Sequence, residues 1–455
     1  MKKALLVTTV SGFVPQFEME NVRLLQDMGY EVHYATNYHN VSYGTDNHRL
    51  DGTGIIRHQV DFVRSPYDIK GNVKAYRQLY EVASEGGFDL IHCHTPMGGV
   101  LTRMVVRKLS KLGRRSNPQS IQEKTIPKVI YTAHGFHFYR GAKLRNWLLY
   151  FPVEKWLSRY TDVQVTINRE DYKRAKKYWH QNCKVVYVPG VGVDVSYYKG
   201  RDLAKEEREQ LRQAIREEIG VKPDTILFLS VGELIPRKNH ISVLQTLSRI
   251  GQLMTCEVDN EKKAQDQEEH QGKNRKCRVD LQEELQGNDC GIETIRGNHY
   301  GKAKGDYKYI ICGHGKLESE IRKQIRTLGL EGKVLLPGYC EDIRPYLYAC
   351  DYFVFPSLQE GMPVALLEAA ASGCYCIVSD VRGNRDIAKS VPDRVKVYHN
   401  EAELEQMLLE ATERGLRQEE LAGKESTGQS TGRLGKYDRE AVKGRMRNVY
   451  YSMRN

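Results

Sequence analysis

Short apolar runs, each ending in a turn and followed by a helical pattern, recur along most of this chain. Ala4 to Thr9 is the first run. The turn Val10-Ser11-Gly12-Phe13 follows, then a helix from Gln16 to Gly29 and a second strand from Tyr30 to Ala35. Strand, turn, helix, strand in that order builds a parallel sheet, because a parallel neighbour is reached only through a crossover long enough to hold a helix. Asp89 to Pro96 and Val129 to Ala133 repeat the design, and Thr225 to Val231, Tyr307 to Cys312 and Cys376 to Ser379 do so further on, the last with Arg382-Gly383-Asn384 as its terminal loop. A length of 455 residues favours two such domains over one.

The stretch richest in chemistry runs from Asp351 to Gly373. Asp351 to Phe355 reads as a strand and Pro356 to Pro363 as a turn carrying one carboxylate. Val364 to Ala371 reads as a helix rich in Ala and Leu, closed by Gly373. A helix that starts near Met362 or Pro363 turns its free N–H groups and positive dipole end toward the turn, which suits an anion. Gly361 lets another backbone, or a phosphate, come close. A diphosphate docked on the end formed by Gly361, Met362, Pro363 and Val364 would leave Glu360 and Glu368 to accept hydrogen bonds from hydroxyls on either side. A nucleotide-sugar has that shape. An ordinary strand, turn and helix with solvated glutamates fits the same spacing.

Other residues point to the same kind of ligand. In open α/β sheets ligands sit beyond the carboxyl ends of strands. His94 and His134 stand there, and His134 precedes Gly135. Gly12 is a candidate for close backbone approach to substrate, or a plain tight turn. Arg237 and Lys238 are adjacent cations in a loop before a helix, which suits a diphosphate as well as an exposed basic loop. His92 and His94 share one strand face, but no third metal ligand can be placed beside them, and no Asp-x-Asp triplet is present. No metal and no cofactor is expected.

Composition bounds the partners. The net charge of +11 favours a negatively charged partner. Residues Arg140 to Tyr160 interleave aromatic and basic side chains, and Arg103, Arg107, Lys108, Lys111, Arg114 and Arg115 form a second basic cluster. Such segments can lie on an anionic membrane. The alternative is a helix with its apolar face in the core and its cations in water. The ten cysteines show no zinc spacing, and no secretory signal or membrane-spanning run is seen. Free thiols in a cytoplasmic protein are expected, peripheral to the membrane's inner face if at all. Residues 255–306 are polar and charged and read as a disordered surface insertion.

The pattern Glu360-x7-Glu368 behind a Pro-Ser turn, with Ala349-Cys350-Asp351 before it and Ser379-Asp380-Val381-Arg382-Gly383-Asn384 after it, resembles the retaining glycosyltransferases of family 4. The likeness extends from Ser11 to about Asn384. It implies an α/β GT-B fold, two doubly wound Rossmann-like domains facing a central cleft. It places the first domain at 1–195, the second at 196–435, and a helix at 436–455 packing back toward the first domain, with Gly190-Val191-Gly192 near the link. It implies Glu360 on the donor sugar, Glu368 on the ribose, His134 beside the donor sugar and Lys238 as the phosphate clamp. Gly313 would lie near the donor nucleotide and Gly338 near its base. Many members carry arginine where this chain has Glu233, a departure for which Arg237 would have to substitute. Segments such as Cys93-His94-Thr95-Pro96-Met97 and His134-Gly135-Phe136-His137 look most like the branch that builds capsular and exopolysaccharide glycans. The donor would be a UDP-hexose or UDP-N-acetylhexosamine, and the acceptor a lipid-linked glycan; no nucleic acid partner is expected. A sugar-nucleotide epimerase with the same cleft, or a non-enzymatic basic protein binding membrane or nucleic acid, are the other readings.

Overall fold

The computed structural model describes residues 1–43, 46–113, 126–200, 203–222, 225–253, 306–414 and 433–454. Thirteen strands within these residues form two wholly parallel sheets. The first holds β1 (Lys2–Val7), β2 (Tyr30–Thr36), β3 (Ile56–Gln59), β4 (Leu90–His94), β5 (Lys128–Ala133), β6 (Val163–Thr166) and β7 (Lys184–Tyr187), in the order β3-β2-β1-β4-β5-β6-β7. The second holds β8 (Ile226–Val231), β9 (Tyr307–Cys312), β10 (Val334–Gly338), β11 (Tyr352–Phe355), β12 (Tyr375–Ser379) and β13 (Val395–Tyr398), in the order β10-β9-β8-β11-β12-β13. The central strands read as near-continuous apolar runs because helices cover both faces: every residue of β4 and of β11 is buried. Each sheet reverses its winding once, between β1 and β4 in the first and between β8 and β11 in the second. Those two reversals are the places where such sheets open a crevice at their carboxyl ends.

The chain crosses between the two sheets twice. After β7 it runs through Gly190 and Gly192, both in the left-handed region, into the second unit. It returns at residues 434–439, where Val193 donates to the Tyr437 carbonyl at 2.9 Å and Arg439 donates to the Val193 carbonyl at 3.0 Å. The last helix, Arg439–Tyr451, then buries Val442, Met446, Val449 and Tyr450 in a cluster with Val22 and Leu25 of the first unit.

Four expectations need correction. The helix expected from Gln16 to Gly29 is two helices, Phe13–Phe17 and Met19–Asp27, separated by Glu18 at φ −122° and ψ 5°. Arg382-Gly383-Asn384, expected as a loop, is the first turn of the helix Arg382–Ala388 and is buried. The helix Leu144–Leu157 keeps only one apolar face in the core: Trp147, Tyr150 and Phe151 pack there and Leu157 is buried, but Leu144 is 72% and Leu148 70% exposed, and Leu149, Val153 and Trp156 are exposed beside them. Arg103 is not part of a surface cluster. It is buried, with a bidentate ion pair to Glu154 at 2.8 and 3.1 Å and its guanidinium 4.0 Å from the Tyr131 ring centre. Arg114, Arg115 and the insertion at 255–306, apart from Asp306, lie outside the described residues.

Candidate functional site

The second sheet supplies one half of the site at its winding reversal. After β8 the chain turns through Gly232 into the short 3-10 helix Pro236–Lys238, and after β11 it turns through Ser357 to Glu360. These two turns meet on a single oxygen. Glu360 Oε1 accepts from Lys238 Nζ at 2.8 Å, from Arg237 Nη1 at 2.8 Å and from the Ser357 hydroxyl at 2.5 Å. Glu360 is 8% exposed. Burial pushes its pKa up, but Lys238 and then Arg237 outweigh that and hold the carboxyl below its ordinary range. Arg237 also donates to the Gln359 carbonyl at 2.8 Å, and Lys238 lies 4.7 Å from the Phe355 ring centre. Arg237 therefore stands beside the lysine at the carboxylate, while Glu233 is exposed.

Directly beyond Glu360 the helix Val364–Ser372 begins, with Pro363 as its N-cap and Gly373 (φ 88°) ending it in the left-handed region. The N–H groups of a first helical turn have no partner within the helix and favour an anion. Two cations thus meet at a residue three positions before a helix N-cap, and cations and helix N–H groups are the donors that neutralise a diphosphate. Met362 is buried, and its side chain fills the space beside Gly190. Gly361 faces the other domain: a Cβ there would collide with the His134 carbonyl oxygen. The backbone that approaches Gly361 is that of the His134 segment.

Glu368, one turn into this helix, is half-buried and accepts from the Tyr198 hydroxyl at 2.8 Å. Burial raises its pKa, and the Tyr198 bond offsets part of that. Gly313 and Gly338, at the ends of β9 and β10, are joined by a hydrogen bond of 2.7 Å, and Gly313 lies next to Gly232. The carboxyl ends of β8, β9, β10 and β11 so bring Gly232, Gly313, Gly338 and the Glu360 turn to one rim.

The first sheet supplies the opposite half. His134 follows β5, packed edge-on against Phe13 at 4.9 Å between ring centres. Its Nε2 lies 3.2 Å from His94 Nδ1 and 3.8 Å from Glu18 Oε1, and Glu18 Oε1 lies 3.4 Å from His94. Glu18 is the residue that sequence reasoning missed. It reads as one position in a continuous helix, and only the break there turns its carboxyl inward. Burial, slightly offset by the Asn21 hydrogen bond, pushes Glu18 up to about 8, and burial pushes His134 down to about 4. Two neutral imidazoles and a protonated carboxyl therefore share the pocket at neutral pH. A small cavity of about 30 Å³ adjoins them, lined by Glu18, Asn21, Thr132 and His134 among others. Among the described residues this trio is the group whose ligand atoms converge on one ion-sized spot, though a cation would have to displace the carboxyl proton. His92 is not part of it: its two nitrogens meet Tyr450 at 2.9 Å and Thr132 at 2.8 Å. His137 packs against Tyr150, its ring tilted and 4.8 Å away between ring centres. Gly12 lies at the turn after β1, where the Ser42 carbonyl occupies the space a Cβ would need. The partner that comes close to Gly12 is thus protein backbone.

Residues 19–197 match the family model described as Glycosyltransferase Family 4, and residues 284–414 match that of Glycosyl transferases group 1. The chain belongs to glycosyltransferase family 4. Similar proteins include EpsD of Bacillus subtilis (strain 168), a glycosyltransferase by name, which is 29% identical over 388 residues covering 85% of this chain and 81% of that one. The UDP-Gal:alpha-D-GlcNAc-diphosphoundecaprenol alpha-1,3-galactosyltransferase of Escherichia coli is 24% identical over 332 residues, covering 72% of this chain and 67% of its own. The fold is similar to that of Anabaena Alr3699/HepE in complex with UDP and glucose, with a TM-score of 0.62 at 13% identity over 99% of this chain and 100% of that one. It is also similar to WaaG, a glycosyltransferase involved in lipopolysaccharide biosynthesis, with a TM-score of 0.57 at 12% identity over 98% and 99% of the two chains. This family 4 enzyme has the two-domain GT-B fold and is a glycosyltransferase.

Proposed function

We propose that this enzyme moves a hexose or N-acetylhexosamine from a UDP-sugar to a saccharide carried on a polyprenyl diphosphate, with retention of anomeric configuration. The observation that carries the reading is the meeting of Lys238 and Arg237 at the carboxylate of Glu360, three residues before the N-cap of the helix Val364–Ser372. In the reaction the bond from the anomeric carbon to the donor phosphate breaks, and the acceptor oxygen bonds to that carbon. The acceptor proton leaves on the departing diphosphate. Lys238, Arg237 and the helix amides offset the charge that builds on the diphosphate. Glu360 fixes sugar hydroxyls, Glu368 the ribose, and His134 orients the donor from the opposite domain. No metal ion is assigned a part.

The acceptor class is supported by the E. coli relative, whose name specifies a diphosphoundecaprenol-linked sugar. It is supported as well by the surface of the first domain. No helix among the described residues is long and apolar enough to cross a membrane. The helix Leu144–Leu157 instead offers Leu144, Leu148, Leu149, Val153 and Trp156 to solvent, flanked by exposed Lys143, Arg145, Lys155 and Arg159. That combination suits an anionic bilayer, with apolar side chains entering the acyl boundary and cations at the headgroups.

The test is release of UDP or GDP from a panel of nucleotide-sugars with a lipid-linked acceptor, wild type beside Glu360→Ala and Lys238→Ala, with thermal stabilisation by each nucleotide read in the same plate. Release from one UDP-sugar, lost in both variants, is expected. Absence of any nucleotide-induced stabilisation would overturn the donor assignment.

A further inference from the structure

The two halves of the site sit on different domains, and one buried guanidinium touches both. Arg382 is 3% exposed. Its Nε donates to the main-chain carbonyl of Glu360 at 3.2 Å, and its Nη2 to the main-chain carbonyl of Phe136 at 2.8 Å, two residues after His134. Its Nη1 donates to Asp171 Oδ1 at 2.9 Å, and the guanidinium carbon lies 4.8 Å from the Tyr139 ring centre. Asp171 is itself fully buried, and its second oxygen accepts from the Phe136 N–H at 3.1 Å and from Asn168 at 2.8 Å. The His134 strand end, the Asp171 helix and the Glu360 turn are thereby fixed to one planar group. Glycines make the approach close enough. A Cβ on Gly135 would meet Arg382 Nη2 at 2.7 Å, and one on Gly383 would meet the Gly361 carbonyl at 2.6 Å.

We propose that Arg382 is a positioning residue that sets the separation of His134 from Glu360 by tying both backbones to one guanidinium when the domains close. A planar fork with fixed donor directions can do this; a flexible ammonium cannot. Arg382 touches no group assigned to the donor phosphates, so its loss acts on alignment and leaves nucleotide binding alone. The neighbouring ion pair, Arg385 with Glu170 at 2.7 Å, spans the same interface at partly exposed positions and meets neither of those carbonyls. It serves as the control for simple weakening of the interface.

The proposal rests on His134 and Glu360 forming the two halves of the donor site, and the experiment separates the two readings. The full chain, as wild type, Arg382→Lys, Arg382→Gln and Arg385→Gln, is assayed for UDP release at saturating donor, for UDP affinity by calorimetry, and for radius of gyration by X-ray scattering with and without UDP. In both Arg382 variants kcat is expected to fall about 100-fold, the loss that a displacement near 1 Å brings. UDP affinity should stay within about twofold of wild type, a change small beside one tenfold step of 1.4 kcal/mol. The contraction on adding UDP should shrink, and Arg385→Gln should behave as wild type. Arg382→Lys keeps the buried charge, so it carries the test if Arg382→Gln fails to fold. Unchanged kcat in Arg382→Lys, or kcat and UDP affinity falling together, would overturn the proposal. A wild-type enzyme that binds no UDP would instead overturn the donor reading beneath it.

Discussion

Replacing Glu360 by glutamine separates two duties of one oxygen. In the resting enzyme Glu360 Oε1 holds Lys238, Arg237 and the Ser357 hydroxyl. When a diphosphate arrives, the same cations are its counter-charges. The carboxylate and the diphosphate therefore compete for Lys238 and Arg237, while the carboxylate is also needed by the sugar. Lys238 and Glu360 have side chains 12% and 9% exposed, so their pair is screened little; Arg237, at 38%, is screened more and adds little. A hydrogen bond to a charged group contributes about 1.5–3 kcal/mol. Loss of the carboxylate charge should then cost about 2–3 kcal/mol of stability, most of it from Lys238, and lower Tm by about 4–12 °C for a domain of this size. UDP should restore more of that loss in Glu360→Gln than it adds to wild type, because the cations are left unpaired. Turnover should fall about 100-fold or more, as when one electrostatic contact to the reacting centre is removed. Differential scanning fluorimetry across a UDP titration, beside UDP release, measures both. A variant whose UDP affinity drops along with its turnover would refute the reasoning, since it would show the carboxylate aiding the diphosphate instead of competing with it.

Two further outcomes follow from other parts of the molecule. Glu18 holds its proton to about pH 8 when folded, against 4.5 for a solvated carboxyl, so the folded state loses stability as pH rises through that interval. His94 and His134, held neutral by burial, act in the opposite sense below pH 6.5. Above pH 6.5 Glu18 is the titrating member of the trio. Wild type should lose roughly 2 kcal/mol between pH 6.5 and 8, at about 1.4 kcal/mol per unit, and Glu18→Gln should flatten this slope in urea unfolding; an equal slope in both proteins would contradict the assignment. On the surface, Leu144→Glu with Leu148→Glu should reduce sedimentation with vesicles of anionic phospholipid by about 100-fold, from at least 1.5 kcal/mol per buried leucine. UDP release on a short-chain soluble acceptor should be unchanged. Equal sedimentation of variant and wild type would exclude this helix as the contact.

The parts of the site legible in the sequence are those made within a few residues of a strand end. Glu360, Lys238 and His134 each follow an apolar strand in a parallel sheet, so period and punctuation alone put them on the rim. What was not legible depended on tertiary placement. Glu18 sits in an unbroken-looking helical pattern, and its conversion into a buried acid requires the break at that residue and the imidazoles brought by β4 and β5. Arg382 precedes a glycine and an asparagine, which read as a loop; the glycine is there for close packing against Gly361. Strand β3, with three of its four residues exposed, carries no apolar alternation to mark it. The helix Leu144–Leu157 has the composition of a core helix, and only its position shows that Trp147, Phe151 and Leu157 face the core while Leu144, Leu148 and Leu149 face outward, exposed.

The double crossing near Val193 has a mechanical consequence. A two-lobed protein joined by one strand can swing, twist and slide about a single point. Here the outgoing and returning segments are hydrogen-bonded side by side at Val193, Tyr437 and Arg439, and the returning one is anchored by Val442, Met446 and Tyr450 in the first lobe. Two pins set side by side define an axle. Motion of the lobes is thereby reduced to rotation about one line, and each closing stroke returns the same few atoms to the same register.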